Sequence, residues 1–383
     1  MTISPARLLA FDCLAEVEQG GYASDLLYHR FNAPDPRDTG LAYEIVFGVL
    51  RFQRQLDWLI VHYSGRPDPH LHPPVRRALR MGIYQLRYMD RIPAHAAVNE
   101  SVELVKRAGK RSASGLVNAV LRKAGRGAVE WPSRAETLSH PEWMLERWEK
   151  QFGAERMEAL AAANLRQPAT YVRVGPNEPP VPDSEPTEIA GCFRLLSGPR
   201  EGLRIQDIGS QSIVPLLQLE RGHRFLDVCA APGNKTAQAL EVGIRAVACD
   251  VYFPRLTAMR RFPVALVRLD ATRPLPFGRV FDRILVDVPC SGTGTLARNP
   301  EIKWRLEASD ISDLVEKQKL ILSQALTALA PGGRLVYSTC SLEREENEGV
   351  VESVEGAKVI ETVWRLPGRE EGDGFFAAVI RSE

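Results

Sequence analysis

Residues 281–305, FDRILVDVPCSGTGTLARNPEIKWR, decide how the chain is read. Ile284-Leu285-Val286 is a short, unbroken apolar run of the kind a central parallel strand shows, buried on both faces. Asp287, a proline and Cys290 follow at once, and Ser291-Gly292-Thr293-Gly294 then makes a loop without bulk. In open α/β sheets ligands bind beyond the carboxyl ends of the strands, so an acid and a thiol at such an end are placed for chemistry. A buried structural cysteine beside a solvated aspartate is the plainer alternative, because free cysteine is among the most buried residue types.

Outward from this stretch, strands alternate with helices from Gln206 to the end. Residues 225–229, 246–250, 265–270, 284–287 and 333–339 read as five strands, and 309–329 as a long amphipathic helix halted by Pro331-Gly332-Gly333. Such alternation predicts a doubly wound, mostly parallel sheet. The tail 375–380, FFAAVI, reads as a late antiparallel edge strand.

Upstream the periodicity is helical. Apolar residues recur at helical spacing over 6–14, 41–50 and 75–86, and short segments at Asn32-Ala33-Pro34-Asp35-Pro36, Gly65-Arg66-Pro67-Asp68-Pro69 and Ile92-Pro93 punctuate them. Residues 139–170 form a helical connector with Ser139 as cap and Pro141 in the first turn. Apolar segments at 171–174 and 192–196 flank a proline-rich loop and fit a small α+β subdomain. The expected domains are therefore 1–130 (helical), 131–204 (connector and small subdomain) and 205–383 (α/β).

Composition sets the outer limits. A chain of 383 residues exceeds one usual core, and 44% hydrophobic with 25% charged residues describes an ordinary soluble protein. No apolar run approaches the roughly 18 residues of a membrane span, and acids interrupt the N-terminal apolar run, so neither a membrane anchor nor a secretory signal is expected. A cytoplasmic protein follows. The six cysteines lack a C-x-x-C pair, which argues against zinc and against a disulfide framework. Net charge is +1, yet residues 51–126 hold 15 Lys or Arg against 5 Asp or Glu, a local +10 that leaves −9 elsewhere. An excess of that size suits a phosphate backbone better than a small molecule, although an arginine-rich solvated surface would look the same.

Strand ends carry the chemistry. After the first strand comes Cys229-Ala230-Ala231-Pro232-Gly233-Asn234-Lys235, a tight turn of small residues. Asp250 closes the second strand, 23 residues after Asp227, where an acid commonly accepts from ribose hydroxyls. The turn lacks G-x-G-x-x-G, and Gly233-Asn234-Lys235-Thr236 lacks the glycines of a phosphate-binding loop. A nucleoside cofactor without phosphates, S-adenosylmethionine, fits better, with Asp270 accepting from the adenine amine. Cys290 and Cys340 follow adjacent strands, so both thiols reach one cleft. Carbon 5 of a pyrimidine is unreactive until a nucleophile adds at carbon 6, and a thiolate suits that task.

The runs DVCAAPGNKT, DVPCSGTG and YSTCSLEREENE resemble the motifs of the Nol/Nop/Sun cytosine-5 RNA methyltransferases. The helical segments GLAYEIVFGVLRFQRQLDWLI, RRALRMGIYQL and HAAVNESVELVKRAGKRSASGLVNAVLR resemble the NusB-type RNA-binding domain, which is fused to the bacterial Sun/Fmu branch, the type-B small-subunit ribosomal RNA methyltransferases. The resemblance implies an all-α NusB-like domain, a small RNA-recognition-like domain and a Rossmann-like methyltransferase domain. It implies transfer of a methyl group from S-adenosylmethionine to carbon 5 of one cytosine of 16S ribosomal RNA, through a covalent adduct between a cysteine and carbon 6, in a monomer without metal. Residue by residue, Cys340 resembles the nucleophile, Cys290 the thiol that assists release, and Asp287 the group that binds the cytosine ring nitrogen and amine. Cys229 through Lys235, Asp250 and Asp270 resemble the cofactor site, and Arg298, Lys303 and Arg305 contacts to RNA. Two positions depart from the family: Asn234 replaces a glycine and Val288 an alanine. Asn tolerates left-handed backbone, so the turn is expected to survive. Action on large-subunit or transfer RNA, a DNA cytosine-5 methyltransferase using Cys290 as nucleophile, and a non-catalytic RNA-binding or antitermination-like factor are the alternatives.

Overall fold

The computed structural model describes residues 3–30, 36–67, 70–125, 127–198 and 200–382. The expected break at Asn32-Ala33-Pro34-Asp35 lies outside them, as does Asp68-Pro69 of the next. The chain forms two compact units, residues 1–166 with 297–305 and residues 167–296 with 306–383. These do not coincide with the three segments read from the sequence: the connector helices belong to the first unit, the small sheet to the second.

The first unit is helical, with Pro5–Val17, Ala23–Arg30, Pro36–Arg51, Gln53–Ser64, Pro73–Tyr88, Ala94–Arg107 and Ser114–Lys123 followed by Arg134–Leu138, Glu142–Phe152 and Ala154–Asn164. Proline opens Pro5–Val17 and Pro73–Tyr88, where its missing N–H costs nothing. Ile45, Val49, Leu56, Leu59, Leu79, Ile83 and Leu104 join one buried core. Ser139 does not cap the connector. It closes Arg134–Leu138 in the left-handed conformation, φ +50°, and Gly153 divides the connector into two helices. Part of the basic excess is spent internally, in Arg54–Glu136, Arg77–Glu18, Arg80–Asp57 and Lys106–Glu103 pairs.

Residues 297–305 are built into this helical unit by hydrogen bonds to its backbone. The Arg51 guanidinium donates to Ala297 O at 2.8 Å, and Trp304 Nε1 donates to Leu50 O at 2.7 Å. Glu301 accepts from Ala23 N at 2.9 Å. Lys303, only 1% exposed, donates from Nζ to Arg51 O (2.8 Å) and Ser139 O (2.7 Å). Burial, and then the charge of Arg51, push its pKa well below the usual lysine range.

In the second unit, β1 (Thr170–Arg173), β2 (Ser184–Pro186) and β3 (Cys192–Leu195) form a small antiparallel sheet in the order β1-β3-β2. The first and last were expected; β2 was hidden in the proline-rich loop, at the edge that proline tolerates. The large sheet holds β4 (Arg224–Asp227), β5 (Arg245–Asp250), β6 (Ala265–Arg268), β7 (Phe281–Asp287), β8 (Leu329–Thr339), β9 (Val359–Arg365) and β10 (Phe375–Arg381), in the order β6-β5-β4-β7-β8-β10-β9. The first five neighbours run parallel, and β10 and β9 add antiparallel strands. Ile284 and Val286 pack with Leu322 and Ala325 of the helix Ala308–Ala328, whereas Leu285 packs with Phe225, Val336 and Phe375 on the opposite face. β7 is thus covered on both sides.

The sequence reading is corrected at two places. The helix ends at Ala328 and β8 begins at once, with Leu329 opposite Phe281 and Arg334 opposite Arg283, so Pro331-Gly332-Gly333 bulges from the strand. β10 is not an edge strand, because β9 pairs on its far side. Six successive buried residues, Phe375 to Ile380, reflect that two-sided cover. Among the described residues no helix is long and apolar enough to cross a membrane.

Replacing Lys303 by Ala removes two buried hydrogen bonds and leaves a cavity, so it should cost about 2 to 4 kcal/mol of stability. Chemical denaturation reads this directly. An unchanged midpoint with weakened RNA binding would mean that Lys303 serves RNA instead.

Candidate active site

The pairing of β7 with β8 sets Asp287 beside Ser338. Cys290 and Cys340 each lie a short step beyond those positions, and their Sγ atoms come within 3.3 Å of each other. The hydrogen bond with Cys340, burial, and the nearby charges of Cys340 and Glu346 push the Cys290 thiol well above its ordinary range. Its protonated form is therefore favoured.

Beside the thiols, Asp287 accepts from Ser338 Oγ (2.7 Å) and pairs with Lys235 Nζ (2.7 Å), which also lies 5.0 Å over the Phe375 ring. Burial works to lower the Lys235 pKa, but the charges of Asp287, Cys340 and Asp227, with the Asp287 hydrogen bond, outweigh it and leave it raised. A fixed ammonium thus faces both the carboxylate and the Cys340 sulfur.

Lys235 is placed by the turn after β4. Gly233 caps the helix Asn234–Leu240 with φ +102°, a conformation that favours glycine, and a Cβ there would approach Met259 and Phe262 at 3.0 Å. The left-handed residue is Gly233, so Asn234 enters the helix under no such demand, and its side chain donates to Ile205 O. Val288 is buried in the core with Val286 and Leu226, which absorbs its extra bulk.

The remaining predicted cofactor residues ring the same strand ends. Asp250 Oδ2 accepts from Ala231 N (3.1 Å) and Oδ1 from Tyr252 N (2.8 Å), bracing the turn that includes Ala230 and Pro232. Asp270 is exposed just past β6; bonds from Thr272 hold its carboxyl below the usual range. Burial raises the pKa of Cys229 well above normal, reinforced by Asp227, Asp250 and Asp287. Carboxylates at successive strand ends, beside a turn of small residues, form the acceptor set that ribose hydroxyls and an adenine amine require. The residues fit S-adenosylmethionine.

Two of the three expected RNA contacts, Lys303 and Arg305, are committed to the protein's own backbone. Lys303 is buried and committed to two backbone carbonyls, and Arg305 donates to the carbonyls of Val17, Gly20 and Gly21. Arg305 lines, with Arg76, Arg77 and Arg80, a cleft of about 490 Å³ in the helical unit. Arg298 belongs to the same segment and is half-buried. A lysine-arginine cluster after a strand looked like a phosphate contact, but Trp304 and the paired apolar positions made it a packing segment.

Two residues were missed as parts of the site. Asp227 is 1% exposed and accepts from Thr236 Oγ1 at 2.6 Å; burial raises its pKa to about 7, aided by Asp287 and Asp250 and opposed by the Thr236 bond and Lys235. Its place at a strand end was visible, whereas its burial was not. Glu346 reaches both cysteine loops, accepting from Ser291 N at 2.8 Å and from Ser341 Oγ at 2.5 Å. Its position in the run EREENE gave no sign that it, with Glu343, is buried while Glu345 stays exposed.

A parallel sheet continued by antiparallel strands, with acids and a small-residue turn at the carboxyl ends, is the architecture of a Rossmann-like methyltransferase. Residues 214–381 match the family described as 16S rRNA methyltransferase RsmB/F, residues 4–126 the NusB family, and residues 140–178 the ferredoxin-like domain of the RsmF/B-like group. The ribosomal RNA small subunit methyltransferase B of Klebsiella pneumoniae is 34% identical over 98% of this chain and 97% of its own length. That of Escherichia coli is 34% identical over 95% of each. The chain belongs to this ribosomal RNA small subunit methyltransferase B family. A methyltransferase homologue from Pyrococcus horikoshii shares the fold over 65% of this chain and 97% of its own, with 25% identity and a TM-score of 0.53.

Two outcomes follow from this geometry. An acid whose folded pKa lies near 7 rather than 3.8 favours folding while protonated, so its contribution is present below about pH 4 and lost as pH rises through 7. Asp227→Asn should remove that loss, an effect of up to about 4 kcal/mol, seen as a flatter dependence of Tm on pH without cofactor. Gly294 donates to Cys340 O at 2.9 Å, and an added Cβ would meet Gly374 O and lie 2.8 Å from Cys340 O. Gly294→Ala should therefore lower turnover at least tenfold by moving the Cys340 loop, with a smaller change in cofactor affinity measured by calorimetry.

Proposed function

We propose that the protein methylates carbon 5 of a cytosine in small-subunit ribosomal RNA, with S-adenosylmethionine as donor and a covalent enzyme–base adduct as intermediate. The single observation that carries this reading is the 3.3 Å approach of the Cys290 and Cys340 sulfurs beside the Asp287–Lys235 pair. Membership of a family whose curated relatives are named ribosomal RNA small subunit methyltransferases supports the substrate class and the methyl transfer.

The target base must leave its stack to reach the thiols, at a cost of about a few kcal/mol. The Cys340 thiolate adds to carbon 6, forming a C–S bond and moving electron density to carbon 5 and the ring nitrogen. Lys235 lies beside the Cys340 sulfur, and Asp287 holds the ring nitrogen and amine edge. Bound S-adenosylmethionine supplies an electrophilic methyl group. Carbon 5 takes that methyl, a base removes the proton it carried, and the freed electron pair restores the C5–C6 double bond as the Cys340 thiolate leaves. Cys290 assists this release. Asp250 and the turn from Cys229 to Lys235 hold the ribose side of the cofactor, and Asp270 the adenine. A nucleophile on Cys290 would instead have to ionise a thiol whose hydrogen bond with Cys340, and then burial, hold it in the neutral form.

Exposed Arg91, Arg107, Arg111, Arg122 and Lys123 of the helical unit remain to meet phosphates. The protein is read as acting on RNA in the cytoplasm, as a monomer.

The test uses labelled S-adenosylmethionine with 16S, 23S and transfer RNA. Cys340→Ala should abolish 5-methylcytosine formation, by at least a thousandfold, whereas Cys290→Ala should accumulate a denaturation-resistant protein–RNA adduct. Methylation by Cys340→Ala, or loss of adduct in Cys290→Ala together with its presence in Cys340→Ala, overturns the reading. Preference for 23S or transfer RNA overturns its substrate.

A further inference from the structure

The residues that directly follow the two thiols, Ser291 and Ser341, share one buried carboxylate. Glu346, fully buried, accepts from Ser291 N through Oε1 at 2.8 Å and from Ser291 Oγ and Ser341 Oγ through Oε2. Gln318, from the helix Ala308–Ala328, donates to the same Oε1 at 2.9 Å and to Pro289 O at 2.9 Å. The carboxylate therefore takes four hydrogen bonds, none from a cation, in a place where an ion is costly to bury. Its own backbone is fixed too, since Tyr337 Oη donates to Glu346 O at 2.6 Å. Asn347 grips the residues on either side of Cys340, accepting from Thr339 Oγ1 at 2.5 Å and donating to Ser341 O at 3.0 Å.

Packing alone does not require this charge. A neutral side chain could fill the same volume, but a carboxylate alone presents acceptors to donors from both cysteine loops at once. Because Ser291 and Ser341 are next in sequence to Cys290 and Cys340, the distance between their hydroxyls, 3.0 Å, limits the distance between the sulfurs, 3.3 Å. The negative charge also opposes ionisation of Cys290, after its hydrogen bond with Cys340, burial and the charge of Cys340.

We propose that Glu346 is a positioning residue that splints the two cysteine loops and sets the separation of the thiols. Its effect on catalysis rests on the function proposed above; the splint itself does not. In Glu346→Gln the amide nitrogen must face either the Ser291 N–H or the two serine hydroxyls, which then accept where they had donated, and with the charge gone the short bonds across the loops lengthen. Diamide, a thiol oxidant that takes two electrons while the two thiols lose their protons, closes Cys290 and Cys340 into a disulfide at a rate that depends on their approach. Removing the Glu346 charge eases ionisation of Cys290 and so works toward a faster reaction, which leaves a slower one in Glu346→Gln to report the separation. Glu346→Gln should slow it at least tenfold and Ser291→Ala with Ser341→Ala about threefold. With RNA and S-adenosylmethionine, Glu346→Gln should accumulate covalent adduct about tenfold, because release suffers more than addition.

A wild-type disulfide rate in Glu346→Gln overturns the splint, whatever the activity. An equal fall in adduct formation and turnover overturns its role in release, since a merely structural defect lowers both. Should Glu346→Gln not fold, the serine pair variant carries the same comparison, and a wild-type rate there is the contrary result. Failure of Cys340→Ala to abolish methylation would overturn the proposed function and leave the disulfide comparison intact.

Discussion

Everything in the catalytic unit depends on the parallel pairing of β7 with β8. Parallel neighbours carry their ends in the same direction, so a thiol a few residues beyond each strand finds the other without any long loop having to be ordered. Cover on both faces of β7 makes that register costly to shift, because a one-residue slip would turn Leu285 and Ile284 toward the wrong cores. The separation of two sulfurs is therefore inherited from the hydrophobic core and then refined by hydrogen bonds around Glu346.

Electrostatics divides the labour between the two thiols. The hydrogen bond with Cys340, then burial and nearby charge, disfavour the Cys290 anion, whereas Lys235 faces Cys340. Lys235 is itself held by Asp287, so one ion pair serves a carboxylate that can face a base edge and a cation that can face a sulfur. The turn that delivers Lys235 also brings Ala231 N to Asp250, so that turn and the Asp287–Lys235 pair are parts of one scaffold.

Much of this was legible in the sequence because it was local. The apolar run 284–286, the glycine of the turn at 233 and a cysteine just beyond each of two strands all declare themselves over a few residues. What escaped depended on contacts far along the chain. The segment carrying Lys303 and Arg305 looks like a basic loop, and only its burial among the helices of the first unit reveals it as packing. β10 was legible as a strand but not as an interior one, since Val359–Arg365 alternates weakly and its pairing partner is remote. Glu346 sits among three other acids, of which Glu343 is buried as well, and no periodicity marks the one that reaches both cysteine loops. The resemblance to cytosine-5 RNA methyltransferases anticipated the family, whereas the departures at Asn234 and Val288 proved to fall in a helix and in the core.

The account stands on which sulfur bonds to the base. RNA substituted with 5-fluorocytosine cannot lose its carbon-5 substituent as a proton, so the enzyme arrests as a covalent adduct that can be digested and sequenced by mass spectrometry. The account predicts that the modified base is found on the peptide bearing Cys340. A base attached to the peptide bearing Cys290, or an adduct on neither, would contradict it.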